Sequence, residues 1–460
     1  MPPRASLKAF LETARAALTA APSKRPVPIT FVVGNESADL DSLCSALLLA
    51  YFHTYAPPTT AKWARAGALH IPVCHLHRAD LALRPEFTAV LRAADVRGED
   101  VFTLEDILPQ PQNDANNPEA SKKDSTQGVK EEGGGESIRP EDTRWLLVDH
   151  NAMTGSLAKA FGSRVIGCVD HHADEGVIPR DAEIRFIEKS GSCASLVIER
   201  CAEVWDALAT ATPQSKEDKK IDAHLARLAL GPILIDTSNL EDRNKTTAHD
   251  EQAVALAEAK IRAYAEWKGD GDGGDGVEEK AYDRNAFFKS LSALKEDLSE
   301  MSFRDIFRKD YKEWSVGDHR QKLKLGTSSV PQGLSYLVDE KAGGNATTFI
   351  EELGNWGAEK KKDLVVVLTA FKDQDEDGKF CRELLVWART EASVRAAKLF
   401  EERNKDKLKL RTWGGGKLDG GIEGENGNEW RRAWMQGAVE FSRKQIAPML
   451  RDALEEVSGS

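Results

Sequence analysis

Several acids and histidines of this 460-residue chain stand where its apolar runs stop. PITFVV leads into GNESADLDS (34–42), where Asp39 and Asp41 stand one residue apart and Asn35 stands four before Asp39. RWLLVD ends on Asp149, with His150 next, and RVIGCVD ends on Asp170, with His171 and His172 next. In GPILIDTSNL, Asp236 closes a fourth apolar run. Carboxylates and imidazoles are the side chains that ligate divalent cations and move protons. Each has a plainer reading alone: Asp39 and Asp41 as helix caps, His150 as a packed histidine, Asp236 as a helix-end or turn acid. Together they read differently. If the first three runs are parallel strands, their carboxyl ends share one sheet edge, and so many acids in a small volume repel one another unless cations lie among them.

The elements that must position these residues follow from pattern. Before residue 268, strand-like runs alternate with helix-like ones (LDSLCSALLLAYFHTY, SCASLVIERCAEVW), as in an α/β fold whose mainly parallel sheet is flanked by helices. Residues 110–143 are polar, rich in Pro, Gly and Ser, and lack an apolar period, which predicts a disordered surface insertion. KGDGDGGDG (268–276) begins like a calcium loop, but Gly274 and Ala281 occupy positions where an EF-hand needs oxygen ligands. It reads as a linker over 268–280, between a first domain at 1–267 and a second at 281–460. The second domain shows a helical pair (AFFKSLSALKEDL, SFRDIFRKDYKEW), strands (KLKLGTSSV, DLVVVLTAF, RELLVWA) and helices (EASVRAAKLFEER, SRKQIAPMLRDALEEV), a mixed α+β pattern.

Composition excludes several function classes. A formal charge of −12 argues against a general polyanion-binding face, so no nucleic-acid partner is expected and an anionic substrate must be captured by local charge. No run approaches the roughly 20 apolar residues of a membrane span. Six cysteines without CxxC pairing fit reduced, buried thiols in an intracellular protein. The N-terminal MPPRASLKAFLETARAALTAAP reads as a solvated amphipathic helix, with a transit peptide as the competing reading; a cytoplasmic location is expected, the mitochondrial matrix being the other compartment considered.

GNESADLDS, LVDHN, CVDHH and LIDT, in that order, resemble the four N-terminal motifs of the DHH phosphoesterase superfamily. ALKEDLS (293–299), RKDYKEW and SRKQIAP (442–448) resemble the DHHA2 domain, which separates this branch from RecJ-type nucleases. Within the branch the chain looks most like the eukaryotic cytosolic exopolyphosphatases, with prune proteins and family II inorganic pyrophosphatases further off. The resemblance implies two divalent ions, Mg²⁺ or Mn²⁺ with Co²⁺ also accepted, in a cleft between the domains. Asp39 and Asp149 would hold the first ion, with Asn35 where pyrophosphatases have a histidine. Asp41, Asp149, His171 and Asp236 would hold the second, so that Asp149 bridges. His172 would donate to a phosphate or bridging oxygen, and Lys295, Arg443 and Lys444 would grip the phosphates not under attack. Arg78 and Arg84 read as surface partners of neighbouring acids, His150 as a hydrogen-bond partner of a ligand carboxylate, and Gly191 and Ser192 as a turn opening a helix whose N-terminus can receive phosphate.

The implied activity is release of terminal orthophosphate from inorganic polyphosphate or another short phosphoanhydride, by hydroxide activated between two ions and without a protein nucleophile. A monomer is expected. Replacing an imidazole by Asn35 should move preference from Mn²⁺ and Co²⁺ towards Mg²⁺. The rival readings are a pyrophosphatase, a prune-like nucleotide phosphodiesterase, and a scaffold that keeps the fold without catalysis.

Overall fold

A computed structural model describes residues 4–57, 68–108, 138–210, 215–269, 282–317, 322–373, 378–422 and 429–459. Residues 110–137 of the expected insertion and 270–280 of the expected linker lie outside these. The described chain divides into two compact units, Met1–Ser292 and Ala293–Ser460.

The first unit is built on five parallel strands: β1 (Ile29–Val33), β2 (His70–Val73), β3 (Thr143–Val148), β4 (Val165–Asp170) and β5 (Ile184–Ile187), in the order β2-β1-β3-β4-β5. β1 and β3 are apolar without alternation, as strands covered on both faces must be. The short runs HIPV and IRFI are strands that pattern reading passed over, and both lie at sheet edges. Pro72 has no N–H for a ladder, so an edge accommodates it. Helices α1 (Leu7–Thr19), α2 (Leu40–Tyr55), α3 (Pro85–Ala93), α4 (Leu104–Ile107), α5 (Gly155–Phe161), α6 (Cys193–Thr210), α7 (Lys216–Asp236) and α8 (Ala248–Gly269) complete it.

Every residue of α2 is buried. A helix that is apolar nearly all round belongs in a core, at roughly 1.5–3 kcal/mol for each large side chain removed from water. The first helix is not the solvated helix expected: Leu7, Phe10, Leu11, Ala14 and Leu18 recur at helical spacing and pack into the core, and Arg4 pairs with buried Asp222. Nor does the insertion run to 143, because a short turn at Pro140–Asp142 returns the chain to the sheet at Thr143.

The chain passes from the first unit to the second within α9 (Arg284–Glu296). The division falls inside this helix rather than at the Gly/Asp-rich stretch, because Phe287, Phe288 and Leu291 pack into the first core. The second unit holds α10 (Phe303–Lys309), β6 (Tyr311–Val316), β7 (Leu323–Val330), α11 (Ala346–Glu359), β8 (Leu364–Thr369), β9 (Phe371–Asp373), β10 (Lys379–Cys381), β11 (Glu383–Ala388), α12 (Glu391–Leu408), β12 (Leu410–Thr412), β13 (Gly420–Ile422), β14 (Glu429–Gln436) and α13 (Arg443–Ser458). Its main sheet runs β12-β14-β11-β8-β7-β6, with β7 and β8 parallel and the other pairs antiparallel. Along β8, Leu364, Val366 and Leu368 join one core with α12 and α13, while Val365 and Val367 join another with α10 and α11. The period of two therefore sets one sheet between two helical layers. YKEW is strand, not the end of a helix: α10 stops at Lys309, and Tyr311–Val316 pairs with β7, where aromatic and β-branched residues fit a pleated surface.

Candidate metal centre

The strand order places a topological switch between β1 and β3, which leave in opposite directions along the sheet, and ligands of open α/β sheets bind at such a point beyond the strands' carboxyl ends. Asn35 follows β1 there and Asp149 follows β3. Gly34 lets the β1 loop lie against the first turn of α2, since a Cβ on it would stand 2.5 Å from that of Ser42. Asp149 turns the chain sharply at φ +61°, a left-handed conformation in which Asp is enriched among non-glycine residues, and its N–H donates to Val169 O of β4 (3.1 Å).

Asp149 is buried and is the hub. Its Oδ2 accepts from Asn35 Nδ2 (2.7 Å) and Ser42 Oγ (2.6 Å), and its Oδ1 lies 3.1 Å from His171 Nε2 and 3.6 Å from His172 Nδ1. Burial, then Asp39 and Asp41, pushes its carboxyl up to about 7. His171 Nδ1 faces Ser190 O (3.0 Å), and a carbonyl cannot donate, so this nitrogen carries a proton and Nε2 is the nitrogen turned on Asp149. With the ring neutral, Nε2 and Oδ1 are two acceptors at 3.1 Å and need a proton or a cation between them. This donor set fits a divalent ion. Asp149, His171 and His172 are also the one group of three among the described residues whose ligating atoms all lie within 4.8 Å of one another.

Around that hub the expected residues take different positions. Asp39 caps α2, its Oδ1 accepting from Ser42 N (3.0 Å), which uses one of about four lone-pair sites of a carboxylate. Asp41 is buried and caps α6, accepting from Ser192 Oγ (2.8 Å), Cys193 N (2.6 Å) and Ala194 N (2.9 Å), with its Oδ2 3.9 Å from His171 Nε2. The α6 N-terminus thus receives Asp41 and not a phosphate. Asp236 is the last residue of α7, so the apolar run before it is helical. Burial and then Asp41, Cys74, Asp39 and Asp236 raise the Cys44 thiol, which puts all three of those carboxylates within electrostatic reach of one buried side chain.

The Asn35 amide oxygen accepts from Ser37 N (2.8 Å) while its nitrogen donates to Asp149, so the residue holds that carboxylate in place. Two readings change. His150 donates from Nδ1 to Val148 O (2.9 Å), not to a carboxylate, and burial lowers its pKa to about 4. Arg78 pairs with Asp106 (2.7 Å) as expected, but Arg84 is buried and donates to the carbonyls of Ser37 (2.6 Å) and Ala38 (2.9 Å), clamping the β1 loop. In the second unit, Arg443 opens α13 and pairs with Asp310 (2.7 Å), Lys444 follows it, and Lys295 lies in the last turn of α9.

The model of the DHH family N-terminal domain matches residues 29–233, and that of the DHHA2 domain matches 289–453. The chain belongs to the DHH–DHHA2 branch of the DHH phosphoesterase superfamily. A Schizosaccharomyces pombe protein named "Putative exopolyphosphatase" is 29% identical over 93% of this chain and 92% of its own. Exopolyphosphatase PRUNE1 of mouse is 26% identical over 97% of this chain and 78% of its own, and the human protein of that name 23% over 97% and 79%. A solved Methanococcus jannaschii structure, titled a putative family II inorganic pyrophosphatase, aligns over 93% of this chain and 99% of its own with TM-score 0.50 and 19% identity, which shows a shared fold.

The DHH motif of this family member divides its labour. Asp170 is fully buried and pins both histidines: its Oδ1 accepts from His171 N (2.8 Å), His172 N (3.1 Å) and His172 Nδ1 (2.8 Å), and its Oδ2 from Asn151 Nδ2 (2.6 Å). Burial pushes the Asp170 carboxyl up, but the hydrogen bond and charge of His172, with Asn151, outweigh it and bring it to about 2. Sequence reading counted Asp170 among the strand-end acids without giving it this role. Ser42 and Asn151 were missed because a serine in a buried helix and an asparagine after a histidine carry no distinguishing pattern. Five of the six cysteines are buried and all six are free, as composition implied, and no helix among the described residues is long and apolar enough to cross a membrane.

Proposed function

We propose that this chain is a metal-dependent exopolyphosphatase that removes terminal orthophosphate from inorganic polyphosphate. The observation that carries the reading is the 3.1 Å approach of His171 Nε2 to Asp149 Oδ1, beside the buried carboxylates of Asp41 and Asp170 at the sheet's switch point. Relatives named exopolyphosphatase that match nearly the whole chain supply the substrate class.

Asp149 would be shared by two divalent ions, with Asp39 beside the first and Asp41, His171 and Asp236 beside the second. Bound ions supply a water of lowered pKa and neutralise charge on the phosphate under attack. The chain's own residues do the rest. Asn35 and Ser42 fix the Asp149 carboxylate, and Ser190 O fixes the His171 tautomer, so neither ligand must reorganise when charge develops. Asp170 holds His172 by Nδ1. Donation to the oxygen that leaves with the shortened chain would then come from Nε2. Lys295, Arg443 and Lys444 are the bases proposed to supply positive charge to the remaining phosphates.

The test is phosphate release with Mg²⁺ or Mn²⁺ from polyphosphates of graded length, from pyrophosphate and from a cyclic nucleotide. Turnover on chains longer than pyrophosphate is expected. Activity on pyrophosphate alone would replace this reading with a pyrophosphatase, activity on the cyclic nucleotide alone with a phosphodiesterase, and no release from any of them with a scaffold.

A further inference from the structure

Asp250 stands in the first turn of α8, and it is completely buried. Six donors converge on its carboxylate. Oδ1 accepts from Ser190 Oγ (2.9 Å), Ser192 N (3.2 Å) and Ser195 Oγ (2.6 Å). Oδ2 accepts from Gly191 N (2.9 Å), Thr247 N (2.7 Å) and Thr247 Oγ1 (2.8 Å). Two of the six close the start of α8, and the other four grip the stretch 190–195 that opens α6. Gly191 is required for the grip, because a Cβ there would stand 2.6 Å from Thr237 Cγ2 and 3.0 Å from Asp250 Oδ2. Burial raises the Asp250 carboxyl, but the bonds from Ser195, Gly191 and Thr247 outweigh it and hold it below the usual carboxylate range, so it is the anion that these donors need.

The gripped turn aims two groups of the metal centre. Ser190 O receives the Nδ1–H of His171 (3.0 Å), which directs Nε2 at Asp149. Ser192 Oγ, Cys193 N and Ala194 N hold Asp41. We propose that Asp250 is a positioning residue of the metal centre, setting the aim of His171 and the seat of Asp41 through the Ser190–Ser192 turn without touching ion or substrate. The inference rests on the metal-centre reading above. Outer groups that orient a ligand typically account for about 10–100-fold in metal affinity.

The experiment is a Mn²⁺ titration of the full chain without substrate, read by loss of the free-ion paramagnetic resonance signal, on the parent, Asp250→Asn and Asp222→Asn. An asparagine at 250 faces its amide nitrogen towards donors and releases part of the turn. Asp222 is an equally buried acid that anchors Arg4 and Trp205 away from the centre, so its variant loosens the fold without touching the turn. Expected is a loss of Mn²⁺ affinity of about 10–100-fold for Asp250→Asn and less than about twofold for Asp222→Asn at a comparable fall in melting temperature. Parent-like affinity in Asp250→Asn overturns the inference and leaves the metal centre standing, as does an equal loss in Asp222→Asn. A parent that binds no Mn²⁺ overturns the metal centre and this inference with it. Should Asp250→Asn fail to fold, Ser195→Ala removes one bond and keeps the acid: weakening of about threefold or more supports the positioning role, and unchanged affinity rejects it.

Discussion

Asn35 donates to Asp149 Oδ2 and accepts from Ser37 N–H, so its amide tunes the shared carboxylate and the loop beside it at once. A histidine in its place would bring a ring nitrogen, a donor that borderline transition metals favour over Mg²⁺. Asn35→His is expected to tighten Mn²⁺ and Co²⁺ binding by about tenfold relative to Mg²⁺, measured calorimetrically. An unchanged ranking of the three metals would refute this role for Asn35. At the same scale, the two aspartates of GNESADLDS are both helix caps and candidate ligands: Asp39 caps its own helix and Asp41 caps α6, 152 residues on at its first residue. The choice between cap and ligand was a false one, because a carboxylate offers more lone pairs than a cap uses.

The β1 loop is an element held from outside. Arg84, just before α3, donates to the carbonyls of Ser37 and Ala38, and Ala38 itself sits at φ +45°. Arg84→Met keeps the length of the side chain and strands those carbonyls in the interior. The melting temperature should drop by roughly 4–10 °C, with Mn²⁺ affinity falling alongside it. Scanning calorimetry that finds an unchanged midpoint would contradict the clamp. The elements carrying the centre were legible because their signals are local: LDSLCSALLLAYFHTY is α2 from end to end, and the acids sit where apolar runs stop. What tied them together was not. Arg84 reads as surface charge in HRADLALR, Asp250 reads as an ordinary first-turn acid in TTAHDEQA, and each gains its role from partners dozens of residues away. The same limit hid β6, where a helical spacing of apolar residues yielded to pairing with β7.

For the molecule as a whole, the centre makes stability depend on metal and pH together. Burial, with Asp39 and Asp41, raises Asp149 to about 7, above its value near 3.8 in an unfolded chain. A carboxyl raised on folding favours the fold below its unfolded pKa, and that contribution is lost as pH rises through the folded value. Metal-free protein should therefore lose stability from about pH 4 to about pH 7, and a cation should restore it. The rise in melting temperature on adding Mn²⁺ is expected to be larger at pH 8 than at pH 5, where the ion must displace a proton. Equal rises at the two pH values would show that Asp149 is not the group the ion meets.

That Asp149 is the hub of a phosphate-releasing metal centre is tested most directly by Asp149→Asn, assayed for phosphate release from polyphosphate with Mg²⁺ or Mn²⁺ beside the parent. Asparagine tolerates the left-handed backbone at this position, so the fold is expected to survive, as circular dichroism can verify. Turnover should fall by roughly a hundredfold or more in a folded protein. A folded Asp149→Asn that releases phosphate at the parent's rate would contradict the account.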